Sequence, residues 1–124
     1  MGQIEKSVRI PKLIRTHAPR LKRLIGEANK LRPAVIVSND GANTTASRLG
    51  RGVVAVVPVT SNINKIYPFQ VLLQATETGL REDSKAQAEQ VRSVALQRVG
   101  TRIGVVPVAV MAELDNALRL HLAL

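Results

Sequence analysis

Three side chains in this sequence have the types and the setting to do chemistry together. Arg32 stands immediately before the apolar run PAVIVS (33–38), and Thr60 and Ser61 stand immediately after the run VVAVVPV (53–59). A guanidinium brings a fixed charge and two parallel N–H donors, and Thr and Ser add short neutral donors, so the three suit an oxyanion or a phosphate. Two β-branched runs joined by a Gly/Asn-rich stretch read as an antiparallel pair. In such a pair the start of one strand lies near the end of the next, which would bring Arg32 to the hydroxyls. The alternative is that all three cap loose backbone groups at strand ends, and from chemistry alone that is the commoner fate of such residues.

Other candidates are weaker. His17 and His121 stand far apart, His121 within a helical pattern, and no metal-ligand spacing occurs, so no metal and no cofactor is expected. RLGRG (48–52) lacks the GK[ST] or GxGxxG continuation of a phosphate loop and reads as a hairpin tip with two exposed arginines. NTT (43–45) matches a glycosylation sequon, which means nothing without secretion, and EDS (82–84) reads as a solvated turn.

The elements that would position these groups belong to one domain of 124 residues whose only aromatics are Tyr67 and Phe69, so its core must be built from Val, Leu, Ile and Ala. No apolar run reaches the roughly 20 residues of a membrane helix, and no signal-peptide pattern opens the chain. With no cysteine, a cytoplasmic protein without membrane contact is the expectation. The net charge of +9 suggests a polyanionic partner, but it is lopsided. Residues 1–32 hold nine Lys/Arg against two carboxylates, whereas residues 33–124 hold nine against seven.

After Pro19, Leu21, Leu24, Ile25, Ala28 and Leu31 recur at helical spacing and predict a short amphipathic helix, weakened by Gly26. NDGANTTASRLGRG (39–52) reads as a polar turn region. YPFQVLL (67–73) reads as a third strand, with Pro68 marking an edge or a strand start. ATETGLREDS (75–84) reads as a loop. KAQAEQVRSVALQRV (85–99) is ambiguous, since its composition favours helix while EQVRSV alternates like a strand. PVAVMAELDNALRLHLAL (107–124) predicts a helix opened by Pro107, with Met111, Leu114, Leu118 and Leu122 along one stripe.

Taken in order, EANKLRPAVIVSNDGAN, VVAVVPVTSN, YPFQVLL, AEQVRSV and LDNALRLHL resemble the MazF/PemK family of toxin–antitoxin ribonucleases, from about Gly26 to Leu124. The resemblance implies a mainly β fold, a small SH3-like barrel closed by a C-terminal α-helix and working as a homodimer. It implies a metal-independent, sequence-specific endoribonuclease that cuts single-stranded RNA or mRNA to 2′,3′-cyclic phosphate and 5′-hydroxyl ends, inhibiting translation and growth. A cognate antitoxin protein would cover the RNA groove. By the same resemblance Arg32 and Thr60 are the catalytic residues, supported by Ser61 and Glu27. Asn39, Asn62, Lys65, Glu89 and Gln90 are RNA-contact candidates, and AEQVRSV becomes a strand rather than a helix.

Family members usually begin with a strand of the type RGDIWLVDLDPTxGSE, which is not recognisable here. Residues 1–25 are therefore set apart as an atypical basic segment, replaced or frame-shifted, before a family-like part at 26–124 of a single domain. If residues 4–14 do not substitute for the strand, a sheet edge is left unpaired. The added charge would strengthen non-specific RNA binding. Two other functions are compatible with this fold class: a gyrase-poisoning toxin of the CcdB type, and an inactive member that binds RNA or titrates antitoxin. RPAV with PVTS favours the ribonuclease, because the poison needs no phosphate site.

Overall fold

The computed structural model describes residues 21–25 and 31–124. The two apolar runs form the antiparallel pair expected of them. Strand β2 (Leu31–Ile36) pairs with β3 (Val53–Thr60) in the register Ala34 with Pro58, Val35 with Val57 and Ile36 with Val56. Around this pair stand β1 (Leu21–Ile25), β4 (Gln70–Leu73), β5 (Ser84–Gln87), β6 (Arg92–Ala95) and β7 (Val99–Gly104). The order is β4-β5-β3-β2-β1-β7, with β6 beside the first half of β3 and every pairing antiparallel.

This order forces the sheet to curl. Strands β6 and β7 lie at the two ends of the run β6-β3-β2-β1-β7, four strand spacings apart, which is about 19 Å if flat. They are joined only by the 3₁₀ turn Leu96–Arg98, which at a rise of about 2 Å per residue bridges roughly 8 Å. A barrel-like sheet results, of the SH3-like kind expected. Inside the curl pack Leu24, Ala34, Ile36, Val54, Val56 and Val94, closed by Leu96 and Val99. Outside it, Leu21, Val35, Val57 and Val59 pack with Val71, Leu73 and Ala86 under the helix α3 (Val108–Leu122). Alternate residues of β2 and β3 therefore enter different cores. That is why their sequences are continuous apolar runs rather than an apolar–polar alternation.

The same two-sidedness corrects the reading of the first described segment. Leu21 and Leu24 have helical spacing, but residues 21–25 are a strand between β2 and β7. An odd spacing on a strand puts side chains on opposite faces, and the two leucines enter the outer and inner cores respectively. Tertiary burial on both faces outweighs local helix propensity here. A strand thus fills the place expected to be empty; the proposed substitute, residues 4–14, lies outside the described residues.

Three further expectations change. The polar region after β2 is a helix, α1 (Asp40–Leu49), not a turn or hairpin tip. The Asn43 side chain ties back to Ser38, donating to its carbonyl at 3.0 Å, and Gly50 leaves the helix at φ +67. Arg48 and Arg51 are exposed, as read. The stretch 75–84 holds a short helix, α2 (Ala75–Thr78), ended by Gly79 at φ +85. The ambiguous stretch resolves into β5, a short 3₁₀ helix (Ala88–Gln90) and β6, so Glu89 and Gln90 lie in that 3₁₀ helix rather than on a strand. The third strand begins at Gln70, just past Pro68, and β4 lies at the end of the strand order. In α3 the buried stripe is Val110, Met111, Leu114 and Ala117, continued by half-buried Leu118; Leu122 leaves the core at 49% exposure. Pro107 caps the helix from outside, its carbonyl accepting the Met111 N–H at 2.9 Å.

Gly104 marks where β7 meets α2. A Cβ there would sit 2.1 Å from the Thr78 carbonyl oxygen, which already accepts the Val105 N–H at 2.9 Å. Because that oxygen is backbone, it cannot swing aside. Gly104→Ala is expected to destabilise the protein by about 2 kcal/mol, with urea unfolding as the measurement. A midpoint equal to wild type would mean that the β7–α2 junction yields freely.

Candidate functional site

The β2–β3 ladder ends at Ala34 and Pro58, and Arg32 and Thr60 each lie two residues beyond it, at the same open end of the pair. Arg32, Thr60 and Ser61 line one open cavity of about 700 Å³, so the convergence expected from the strand order is present. Arg32 and Ser61 are exposed and Thr60 is half-buried. The Thr60 Oγ1 accepts the Asn62 N–H at 3.2 Å, and the Asn62 Oδ1 accepts the Asn64 N–H at 3.3 Å. The strand-end cap and the reactive hydroxyl are thus one group: the backbone bond uses an acceptor lone pair and leaves the Thr60 O–H free to donate. Among the described residues no carboxylate pairs with Arg32.

The cavity contains groups that the sequence reading passed over. Arg23 on β1 and Arg81, Glu82 and Ser84 around the start of β5 also line it. Three guanidinium groups facing one carboxylate give the wall a positive excess suited to a phosphate. Arg23 falls in the segment read as a helix, Arg81 in the stretch read as a loop, and Glu82 and Ser84 in EDS (82–84), read as a solvated turn. No local signal marks either segment. Only the strand order brings them to Arg32.

The other expected site residues are dispersed. Glu27 lies outside the described residues. Asn62 and Lys65 follow Ser61 on the same loop, and both are exposed. Asn39 follows the opposite end of β2, roughly 20 Å from Arg32 at the strand rise of about 3.3 Å per residue. Glu89 does not line the cavity. Its Oε2 accepts the Gln70 Nε2–H at 2.8 Å, while its Oε1 is buried without a hydrogen-bond partner among the described residues. Gln90 is exposed beside it. Among the described residues no group of three or more His, Cys, Asp or Glu could hold a metal ion, and no helix is long and apolar enough to cross a membrane.

A barrel-like antiparallel sheet with a C-terminal helix, with Arg32, Thr60 and Ser61 lining one arginine-rich cavity, is a small barrel-type fold. The sequence profile of the PemK-like, MazF-like toxins of type II toxin–antitoxin systems matches residues 19–122. The chain belongs to that family. The match begins upstream of Gly26 and includes β1, which moves the family-like part further toward the N-terminus than the sequence blocks placed it.

The chain is similar to endoribonuclease MazF9 of Mycobacterium tuberculosis, with 67% identity over 98 residues, covering 79% of this chain and 83% of that protein. Among solved structures, it is similar to a MazE–MazF crystal structure from Deinococcus radiodurans. That likeness has a TM-score of 0.69 and 28% identity, and covers 86% of this chain and 94% of that one. A mycobacterial endoribonuclease solved in complex with its cognate antitoxin has the same fold, with a TM-score of 0.70, 22% identity, and coverage of 86% and 93%.

An exposed guanidinium with no carboxylate partner among the described residues contributes little to folding. Arg32→Ala is expected to change stability by under about 0.5 kcal/mol in thermal unfolding. A loss of several kcal/mol would make Arg32 a structural residue instead.

Proposed function

We propose that this chain is the toxin of a type II toxin–antitoxin pair, a metal-independent endoribonuclease that cuts single-stranded RNA, including mRNA, at specific sequences and so arrests translation and growth. It would act in the cytoplasm as a homodimer, held inactive by a cognate antitoxin laid over the RNA groove. The meeting of Arg32 and Thr60 across β2 and β3, at the wall of one arginine-rich cavity, carries this reading.

In the reaction the 2′-oxygen attacks the adjacent phosphorus and the bond to the 5′-oxygen breaks. The products are a 2′,3′-cyclic phosphate and a 5′-hydroxyl. One proton leaves the 2′-hydroxyl and one is delivered to the departing 5′-oxygen. Negative charge builds on the non-bridging oxygens as the five-coordinate state forms, and a fixed guanidinium with a hydroxyl donor there stabilises it more than the ground state. Arg32 takes that role with Thr60; Arg23 and Arg81 hold the flanking phosphates. Arginine keeps its proton too firmly to act as a base, so the 2′-proton goes to a carboxylate. Glu82 in the cavity and Glu27, the residue suggested by family resemblance, are the two candidates.

Two experiments test this. Purified protein incubated with long single-stranded RNA in EDTA should give discrete cuts with 5′-hydroxyl ends. Arg32→Ala should lower the cleavage rate about 10²–10³-fold, with a smaller loss for Thr60→Ala. Unchanged cutting in both variants would refute the site. Substitution of each carboxylate then assigns the base: either Glu82→Gln or Glu27→Gln should lower kcat about 10²–10⁴-fold with KM little changed. If both variants keep the wild-type kcat, the carboxylate assignment is wrong. A gyrase poison would leave the arginine-lined cavity without a task and would cut nothing in the first assay.

A further inference from the structure

The loop leaving Ser61 carries the chain's two aromatic residues, its single tyrosine and single phenylalanine. Tyr67 and Phe69 stack with ring planes 2° apart and centroids 5.4 Å apart. That separation is an offset stack, so each ring covers only part of the other. Phe69 is half-buried, whereas Tyr67 remains 42% exposed and the Lys65 ammonium lies 4.9 Å from its ring centroid. An exposed flat ring, backed by a second ring and covered only by a mobile-headed lysine, is an unusual surface in a protein whose core is otherwise aliphatic.

This loop is fastened to the sheet and its turns at two points. Lys85 is the β5 residue paired with Thr60, and the residue as a whole is buried, at 8% exposure. The Lys85 Nζ donates to the Lys65 carbonyl at 2.6 Å, which ties the loop one lysine's length from Thr60's own strand partner. At the other end the buried Gln70 side chain accepts the Tyr67 N–H at 3.1 Å and donates to Glu89 at 2.8 Å. A buried lysine committed to a loop carbonyl is costly unless the loop position matters. Through Gln70, Glu89 fixes the backbone that carries the ring.

We propose that Tyr67, stacked on Phe69, is a nucleobase platform that holds a base of the RNA strand beside the scissile phosphate. This rests on the ribonuclease reading above and adds a binding subsite to it. Single-stranded nucleic acid is gripped by cations along its backbone and by aromatic rings under its bases. Lys65 stands over the ring, and the loop that carries both leaves directly from Thr60 and Ser61, at the wall that Arg32 and Arg81 also line. In the free protein Lys65 covers the ring. When RNA enters, a base takes the ring face and the ammonium moves to a phosphate, so no cation is lost from the site. Stacking tolerates any base, so the platform supplies affinity and fixes the spacing from phosphate to base rather than reading sequence.

With one tyrosine and no tryptophan, intrinsic fluorescence reports on Tyr67 alone. The probe is a random-sequence 12-mer of 2′-O-methyl RNA, which cannot be cut because it has no free 2′-hydroxyl. Its binding is followed independently by the anisotropy of a labelled copy. Tyrosine emission should fall in step with the anisotropy. In cleavage of unmodified RNA, Tyr67→Leu should lower kcat/KM about 5- to 100-fold through KM, and Tyr67→Phe should restore most of that loss. The wild-type fluorescence needs no variant to fold. Binding with unchanged emission, or a Tyr67→Leu defect confined to kcat, overturns the platform while discrete 5′-hydroxyl cuts keep the ribonuclease reading intact. Absence of both binding and cutting overturns both.

Discussion

The register of β2 on β3 is the constraint from which the site follows. Each residue of that pair has its place because both faces of the strands are buried, in two different cores. A slip of one residue would exchange Val35 and Val57 with Ala34 and Val56 and put the wrong volumes into both cores at once. Large stabilisation therefore guards the alignment, since burying each such side chain contributes about 1.5–3 kcal/mol. Arg32 and Thr60 stand two residues beyond the ladder, where burial ends, and inherit its precision without contributing to it. The scaffold stiffens the position while the chemistry stays open to solvent.

The curl of the sheet supplies the rest. Because the Leu96–Arg98 turn forces β7 round to β1, and because β5 meets β3 at the Thr60 end of that strand, Arg23 and Arg81 arrive at the same wall as Arg32. Guanidinium groups gathered around a single carboxylate repel one another, and a polyanion relieves that repulsion. Charge excess concentrated at a groove favours a phosphate backbone over other anions, because several phosphates can be met at once. The basic excess of the first 32 residues is thus only part of the electrostatic story: Arg23 and Arg32 belong to it, and Arg81 does not.

What the sequence revealed depended on how local each determinant was. The β2 and β3 runs were legible because burial on both faces leaves nothing but apolar, β-branched residues, and their short separation implied pairing. Arg32 and Thr60 were legible as a pair for the same reason. Strand β1 was not, because Leu21 and Leu24 carry the spacing of a helix face and only two separate cores turn that spacing into a strand. Helix α1 was hidden by Asn, Gly, Thr and Ser, which favour turns until the Asn43–Ser38 tie and the Gly50 terminus fix the ends. Arg81 and Glu82 were unreadable, since their place in the cavity is set by β5 pairing with a strand far away in sequence. Glu89 was recognisable as a functional-looking residue, yet its partner is Gln70.

The central claim is that Arg32 and Thr60 act as one unit on one phosphate because both line one cavity at the open end of the β2–β3 pair. A double-mutant cycle on kcat/KM for RNA cleavage, built from Arg32→Ala, Thr60→Ala and the double variant, measures this most directly. The account predicts a coupling of more than about 1 kcal/mol, with the double variant little worse than Arg32→Ala alone. Strictly additive losses would contradict it, placing the two side chains on separate parts of the substrate.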